Sequence, residues 1–182
     1  QKAAQWGKDA VIMKGDVRKA FDSMEHPLIV DSLRGHGTPE ALIYSIMEEL
    51  SFCVASFTLQ ESSSHLPVLL MSGGKQVASE TPGIWNRYLD SEWQAAEAEF
   101  VSEGLGFSMP SDAKAPVVVC GLYWADDIYL FGNSEADCKR MFCILATKIS
   151  AMNLSWKPDS LELMVNYSAH ENDEFCWDTG HG

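Results

Sequence analysis

Three carboxylates carry most of the chemistry this sequence offers. Asp16 ends a short apolar run, Ala10 to Gly15, and the pair Asp126-Asp127 interrupts two further apolar runs, Val117 to Tyr123 and Ile128 to Phe131. A sheet that placed those runs side by side would bring all three carboxylates together, where mutual repulsion makes them costly without a cation. Hard oxygen ligands on rigid strands suit Mg²⁺, and two such ions about 4 Å apart can activate a hydroxyl and stabilise a leaving oxyanion. Aspartate also favours tight turns for purely local reasons. The Asp-Asp pair alone is therefore a weak signal, and its weight depends on its setting.

The elements that must position these residues alternate between strand and helix. Ala10 to Gly15 reads as a buried strand ending at Asp16. His26 to Leu33 reads as a helix stopped by Gly35 and Gly37, and Thr38-Pro39 opens a second helix running towards Leu50. Val54 to Leu59 and Leu66 to Met71 read as strands around the polar turn Glu61 to Ser64. Thr81 and Pro82 start a long helix, with a hydroxyl at the cap and a proline where its missing N–H costs nothing. In that helix Trp85, Leu89, Trp93, Ala96 and Phe100 recur at helical spacing, which marks a core face, before Gly104 and Gly106 end the pattern. Val117 to Tyr123 and Ile128 to Phe131 form a hairpin with carboxylates at its tip. Ser134 caps a helix with Asp137 three residues on, and Cys138, Phe142, Leu145, Ile149 and Met152 make its buried stripe. A last strand runs from Leu161 to Tyr167. Pro110 to Pro116 is the single candidate linker, and no internal repeat is present.

Composition bounds the rest. The chain has 182 residues, 46% hydrophobic and 21% charged, as expected of one ordinary globular domain rather than a disordered or fibrous chain. No apolar run approaches the roughly 20 residues that cross a bilayer, so a soluble protein without membrane partners is expected. The chain begins with Gln1 and shows no basic-then-apolar leader, which is expected of a partial chain. Its five cysteines form no Cys-x-x-Cys pair, and an odd number cannot all pair within one chain, so reduced thiols and an intracellular setting are expected, nucleus and cytoplasm not being distinguishable. His170, Cys176 and His181 match no zinc pattern with a geometric rationale. Thirteen Lys+Arg against 26 Asp+Glu give a net charge of −13, which opposes nucleic-acid binding by long-range attraction alone.

Four segments in order lift the carboxylates above turn composition. Asp16-Val17-Arg18-Lys19-Ala20-Phe21-Asp22 resembles the motif that follows the first catalytic strand of reverse transcriptases, particularly those of non-LTR retrotransposons and group II introns. Gly73-Gly74-Lys75-Gln76 with Thr81-Pro82 resembles the family's Gly-x-x-Gln-Gly-x-x-x-Ser-Pro segment. Tyr123-Trp124-Ala125-Asp126-Asp127-Ile128 is similar to its Ala-Asp-Asp hairpin, and Asn153-Leu154-Ser155-Trp156-Lys157 to its lysine-bearing motif. The resemblance runs from about Val11 to Met164.

The resemblance implies an α+β fold, a polymerase palm whose antiparallel sheet packs on helices, with partial fingers and no thumb. Residues 1–167 would form this palm with partial fingers, and 168–182 an irregular C-terminal tail. The implied activity is that of an RNA-directed DNA polymerase fragment of a retrotransposon, adding dNTPs to a primer 3′-hydroxyl with two Mg²⁺ ions, Mn²⁺ being the alternative metal. Asp16 and Asp126 would ligate the metals directly, Asp127 more weakly or through a neighbour. Lys157 would lie near the leaving phosphates as a general acid. Phe21 would pack under the incoming sugar and exclude a 2′-hydroxyl, while Gln76 and Pro82 would line the nascent base pair and template. The implied partners are an RNA template, a DNA primer and dNTPs in the full-length protein. Two departures stand out: Val77 replaces a glycine after Gln76, and Trp124 precedes Ala125 where Tyr or Phe is usual. With the basic fingers segment nearly absent, little or no polymerase activity is expected of the isolated chain. A catalytically inactive relic, or a structural palm module, is the alternative; a nucleotide cyclase ranks last, having no reason to show the Gln76 to Pro82 segment and Lys157.

Overall fold

The computed structural model describes residues 8–51, 54–55, 68–69, 72–74, 80–109 and 116–166. Gln76, Val77, most of the expected linker and the tail from 168 onward lie outside the described residues, as do Cys53, His170, Cys176 and His181.

In chain order, strand β1 (Val11–Asp16) is followed by a single helical turn α1 (Ala20–Ser23) and helices α2 (His26–Gly35) and α3 (Glu40–Ser51). A short antiparallel pair, β2 (Val54–Ala55) and β3 (Val68–Leu69), precedes the long helix α4 (Thr81–Ser102). Then come β4 (Phe107–Met109), β5 (Val117–Val119), β6 (Gly121–Trp124), β7 (Asp127–Gly132), helix α5 (Glu135–Ala151), a 3₁₀ turn at Pro158–Ser160 and β8 (Glu162–Val165).

The chain divides into two compact units. One comprises residues 1–18 and 92–182, the other residues 19–91. The first is built on a four-stranded antiparallel sheet in the order β6-β7-β1-β8. Period-two alternation decides its faces. Val11 and Met13 of β1 and Ile128 and Leu130 of β7 are buried, whereas Ile12, Lys14, Asp16, Asp127, Tyr129 and Phe131 are only half-buried. Helix α5 lies against β1 and β7. Its stripe of Cys138, Phe142, Leu145, Ile149 and Met152 is buried as the spacing predicts. Ser134 accepts a hydrogen bond from the Asp137 backbone N–H at 3.1 Å, satisfying one of the donors a helix start leaves open. The Cys138 thiol, 3.6 Å from the Val11 carbonyl, is pushed up to about 12 by burial, so it is a core group rather than a reactive one. Among the described cysteines, Cys120, Cys138 and Cys143 are free.

One expected strand proves to be two. The run Val117 to Tyr123 breaks at Cys120, because β5 pairs with β4 while β6 pairs with β7. Gly121 sits at this change of partner: a Cβ there would meet the Tyr129 carbonyl oxygen at 2.3 Å, so only glycine lets the two backbones approach.

In the second unit, α2 ends in a Schellman motif at Gly37, whose φ is 71°, with the Thr38 N–H bonded to Leu33 and the Gly37 N–H to Arg34. Arg34 then grips Glu40 at 2.6 Å, fastening the start of α3. Ile29, Leu33, Ile43, Leu50, Trp85, Tyr88 and Leu89 are buried. Helix α4 begins one residue earlier than expected, with the expected cap Thr81 already helical and 1% exposed. It ends at Gly104, φ 72°, where Leu105 N–H bonds the Phe100 carbonyl. No helix among the described residues is long and apolar enough to cross a membrane.

Candidate functional site

Antiparallel register places the carboxylates. Asp16, the last residue of β1, stands opposite Asp127, the first of β7. Trp124 and Asp127 close the β6–β7 hairpin around a two-residue loop, Ala125-Asp126. Ala125 has a φ of 54°, the left-handed backbone that a tight hairpin requires and that a non-glycine residue adopts only at a cost. The loop is held down from the neighbouring strand, since the Val17 N–H donates to the Asp126 carbonyl at 3.1 Å. The tandem aspartates thus occupy different settings, Asp126 on the loop and Asp127 in the sheet.

Lys157 reaches the same place by a separate route. Helix α5 ends in a Schellman motif: Asn153 takes φ 57°, Leu154 N–H bonds Ile149, and Asn153 N–H bonds Ser150. The chain then runs back along the end of β1. Arg18 N–H donates to Ser155 at 2.8 Å, Trp156 forms a bridge with Val17, and Lys157 N–H donates to the Asp16 carbonyl at 2.9 Å. The Trp156 ring lies against Gly15, where a Cβ would come within 2.8 Å of it. From this anchored backbone the Lys157 ammonium sits 3.7 Å from the Asp16 carboxylate. Ser160 completes the support, its Oγ accepting from the Asp16 N–H at 3.0 Å and donating to the Lys157 carbonyl at 2.7 Å.

The electrostatics follow from this gathering. Partial burial, and then the negative charges of Asp126 and Asp127, hold the Asp16 carboxyl above the ordinary aspartate value, with Lys157 acting in the opposite direction. A carboxylate crowded in this way by two neighbouring negative charges offers a favourable place for a cation. Among the described residues no three acidic, histidine or cysteine side chains converge on one metal-binding point. A donor set of two carboxylates, completed by phosphate oxygens and water, is the form in which proteins commonly hold Mg²⁺.

The expected residues divide between the two units. Asp16, Asp126, Asp127 and Lys157 come together in the first. In the second, Phe21 is half-buried on α1, with its ring edge-on to Trp85 at 6.0 Å. Gly73 and Gly74 pack on α1: Gly74 N–H bonds the Phe21 carbonyl at 2.7 Å, and Gly73 takes φ 89° against Asp22. Pro82 is exposed in the first turn of α4. Gln76 is outside the described residues. Sequence reasoning passed over Lys14, whose ammonium lies 3.3 Å from Asp127 and 5.9 Å from the centre of the Tyr129 ring. Its hydrogen bond with Asp127, and that residue's charge, raise its proton affinity. The signal was present: a lone cation two residues before Asp16 in an apolar strand must share its face. Ser160 carried no comparable signal.

No protein-family model matches the chain. It is 22% identical over 154 residues to a retrovirus-related Pol polyprotein from the type-1 retrotransposable element R2 of Popillia japonica, covering 84% of this chain and 24% of that protein. In fold it is similar to telomerase from Candida albicans, solved with a fragment of telomeric RNA, with a TM-score of 0.65, 11% identity, and coverage of 95% of this chain and 29% of that one. It is also similar to apo telomerase from Candida tropicalis, at a TM-score of 0.62 and 13% identity over 92% of this chain and 33% of the other. The chain therefore spans about a quarter to a third of the length of these relatives. Its mixed fold with antiparallel sheets and its sequence both resemble a reverse-transcriptase domain of retroelement type.

Proposed function

We propose that this chain is the catalytic palm, with partial fingers, of an RNA-directed DNA polymerase from a retrotransposon. The observation that carries this reading is the cross-strand pairing of Asp16 with Asp127 beside the hairpin loop that holds Asp126, with Lys157 tied by its backbone to Asp16. The resemblance to a retrotransposon Pol polyprotein supports it.

Asp16 and Asp126 would bind Mg²⁺, with Mn²⁺ as a substitute, and Asp127 would act from beside them. Two bound Mg²⁺ ions would supply a lowered pKa for the primer 3′-hydroxyl and charge neutralisation for the triphosphate. The primer 3′-hydroxyl would lose its proton to water as its oxygen bonds to the α-phosphorus of the dNTP and the bond to pyrophosphate breaks, and Lys157 would give a proton to the departing pyrophosphate. Phe21, five residues after Asp16, would select against a 2′-hydroxyl, and Gln76 and Pro82 would contact the template base pair. RNA template, DNA primer and dNTPs are the proposed partners.

The test is primer extension on an RNA template with Mg²⁺, using the chain restored to its full-length protein beside an Asp126→Asn, Asp127→Asn double variant. Extension by the parent and none by the variant is expected; equal extension by both would remove the carboxylates from the mechanism. The inactive-relic reading draws support from Val77, where the resembled family has glycine. It predicts a folded parent, by circular dichroism, that extends no primer.

A further inference from the structure

Lys14 and Asp127 form an ion pair on the half-exposed face of the sheet, and the strand register shows why they meet. Lys14 stands opposite Tyr129 on β7 and opposite Glu162 on β8. Asp16 and Asp127 form the adjoining cross-strand pair, so Asp127 is the diagonal neighbour of Lys14. The ammonium could turn to either flanking acid, and it is found 3.3 Å from Asp127. The Tyr129 ring, 5.9 Å away, flanks it on the side facing β7. Both charged groups keep partial exposure, 30% for Lys14 and 41% for Asp127, which leaves the pair reversible rather than locked.

We propose that Lys14 is a positioning residue that holds the Asp127 carboxylate to the sheet, so that Asp16 and Asp126 alone present oxygens to a divalent cation. This rests on the proposed cation site and deepens it, because it assigns the two tandem aspartates their different roles. Asp126 is carried on the two-residue loop beside left-handed Ala125, while Asp127, in the sheet, is the aspartate that pairs with Lys14. Lys157 stands on Asp16 in the corresponding way, but on the far side and from an exposed stem, 56% accessible. The acidic cluster consequently carries the Lys14 ammonium on Asp127, which lowers the charge repelling a nucleotide's phosphates without occupying Asp16 or Asp126.

Mn²⁺ binding to the 182-residue chain, followed by electron paramagnetic resonance of free MnCl₂ at low ionic strength, tests this without any need for polymerase activity. Lys14→Met should release Asp127 as an additional ligand and tighten Mn²⁺ binding by about tenfold, since affinity rises with the number of charged ligands. Lys14→Arg should keep the parent affinity. In an Asp127→Asn background, Lys14→Met should change affinity by less than about twofold, because no carboxylate remains to be released. An equal gain with and without Asp127 would mean that Lys14 acts only as a diffuse charge, and no gain at all would mean that it holds nothing; either result overturns the proposal. Absence of saturable Mn²⁺ binding by the parent would overturn the cation site itself, and Lys14's role with it. Circular dichroism of each variant separates these outcomes from misfolding.

Discussion

At the scale of single residues, the site is defined by which partner each charge has. Asp16 is crowded by Asp126 and Asp127 and relieved by Lys157, and its raised proton affinity has a consequence for stability. A carboxyl whose folded pKa lies above its unfolded value favours folding most at pH below the unfolded value, near 3.8, and loses that contribution as pH rises through the folded value. Asp16→Asn should therefore bring its largest relative gain in thermal stability at neutral pH. The gain should shrink below about pH 4, where aspartates protonate; melting curves at both pH values check this. Lys157 offers a kinetic counterpart. Should it protonate the leaving pyrophosphate, Lys157→Leu in the full-length protein lowers the single-turnover rate by about 100-fold with a much smaller effect on dNTP affinity. A purely structural lysine would leave the single-turnover rate near that of the parent.

At the scale of elements, the site depends on three close approaches that side-chain type controls. Gly121 lets β6 turn onto β7, and Gly121→Ala, which drives a methyl group into the Tyr129 carbonyl, should cost about 3 kcal/mol or more in urea unfolding. Asn153 closes α5 in the left-handed region and sends the chain towards Asp16. Asn153→Gly should be neutral or slightly stabilising, whereas Asn153→Val should lose about 1–2 kcal/mol, because a β-branched residue pays the full steric cost there. Gly15 leaves room for the Trp156 ring, so a Cβ at that position would push on the very segment that carries Lys157. These are backbone requirements, and they explain why residues with no chemistry of their own flank the carboxylates.

At the scale of the whole molecule, charge dominates. A net charge of −13 gives a field that repels nucleic acid, and the ion pairs Lys14–Asp127 and Lys157–Asp16 act only locally against it. The isolated chain should accordingly bind a primer–template weakly and extend it little at physiological salt, which fluorescence anisotropy and extension assays would register. The unit of residues 19–91 adds a pH dependence of its own. His36 bonds Asp90 at 2.8 Å, and this bond, with that to the Ser32 carbonyl, raises its proton affinity. Its stabilising contribution is full below pH 6.5, the unfolded value, and is lost as pH rises through the higher folded value. His36→Gln should flatten the stability profile between about pH 6 and 8.

By itself the sequence determined the order of the longer helices, the strands that carry Asp16 and Asp127, and the buried stripes of α4 and α5, because burial imprints period on composition. Trp85 to Phe100 and Cys138 to Met152 could be assigned to a core from spacing alone. It also carried the glycines that stop α2 and α4. Only the tertiary structure decided that the run Val117 to Tyr123 divides at Cys120, since a strand's choice of partner leaves no mark on its apolar pattern. The separate settings of Asp126 and Asp127 likewise follow from a two-residue loop with a left-handed alanine, a geometry that no propensity of alanine suggests. Lys14 and Ser160 enter the site through cross-strand register and a 3₁₀ turn, and such non-local pairings are fixed by how the strands align rather than by any local signal.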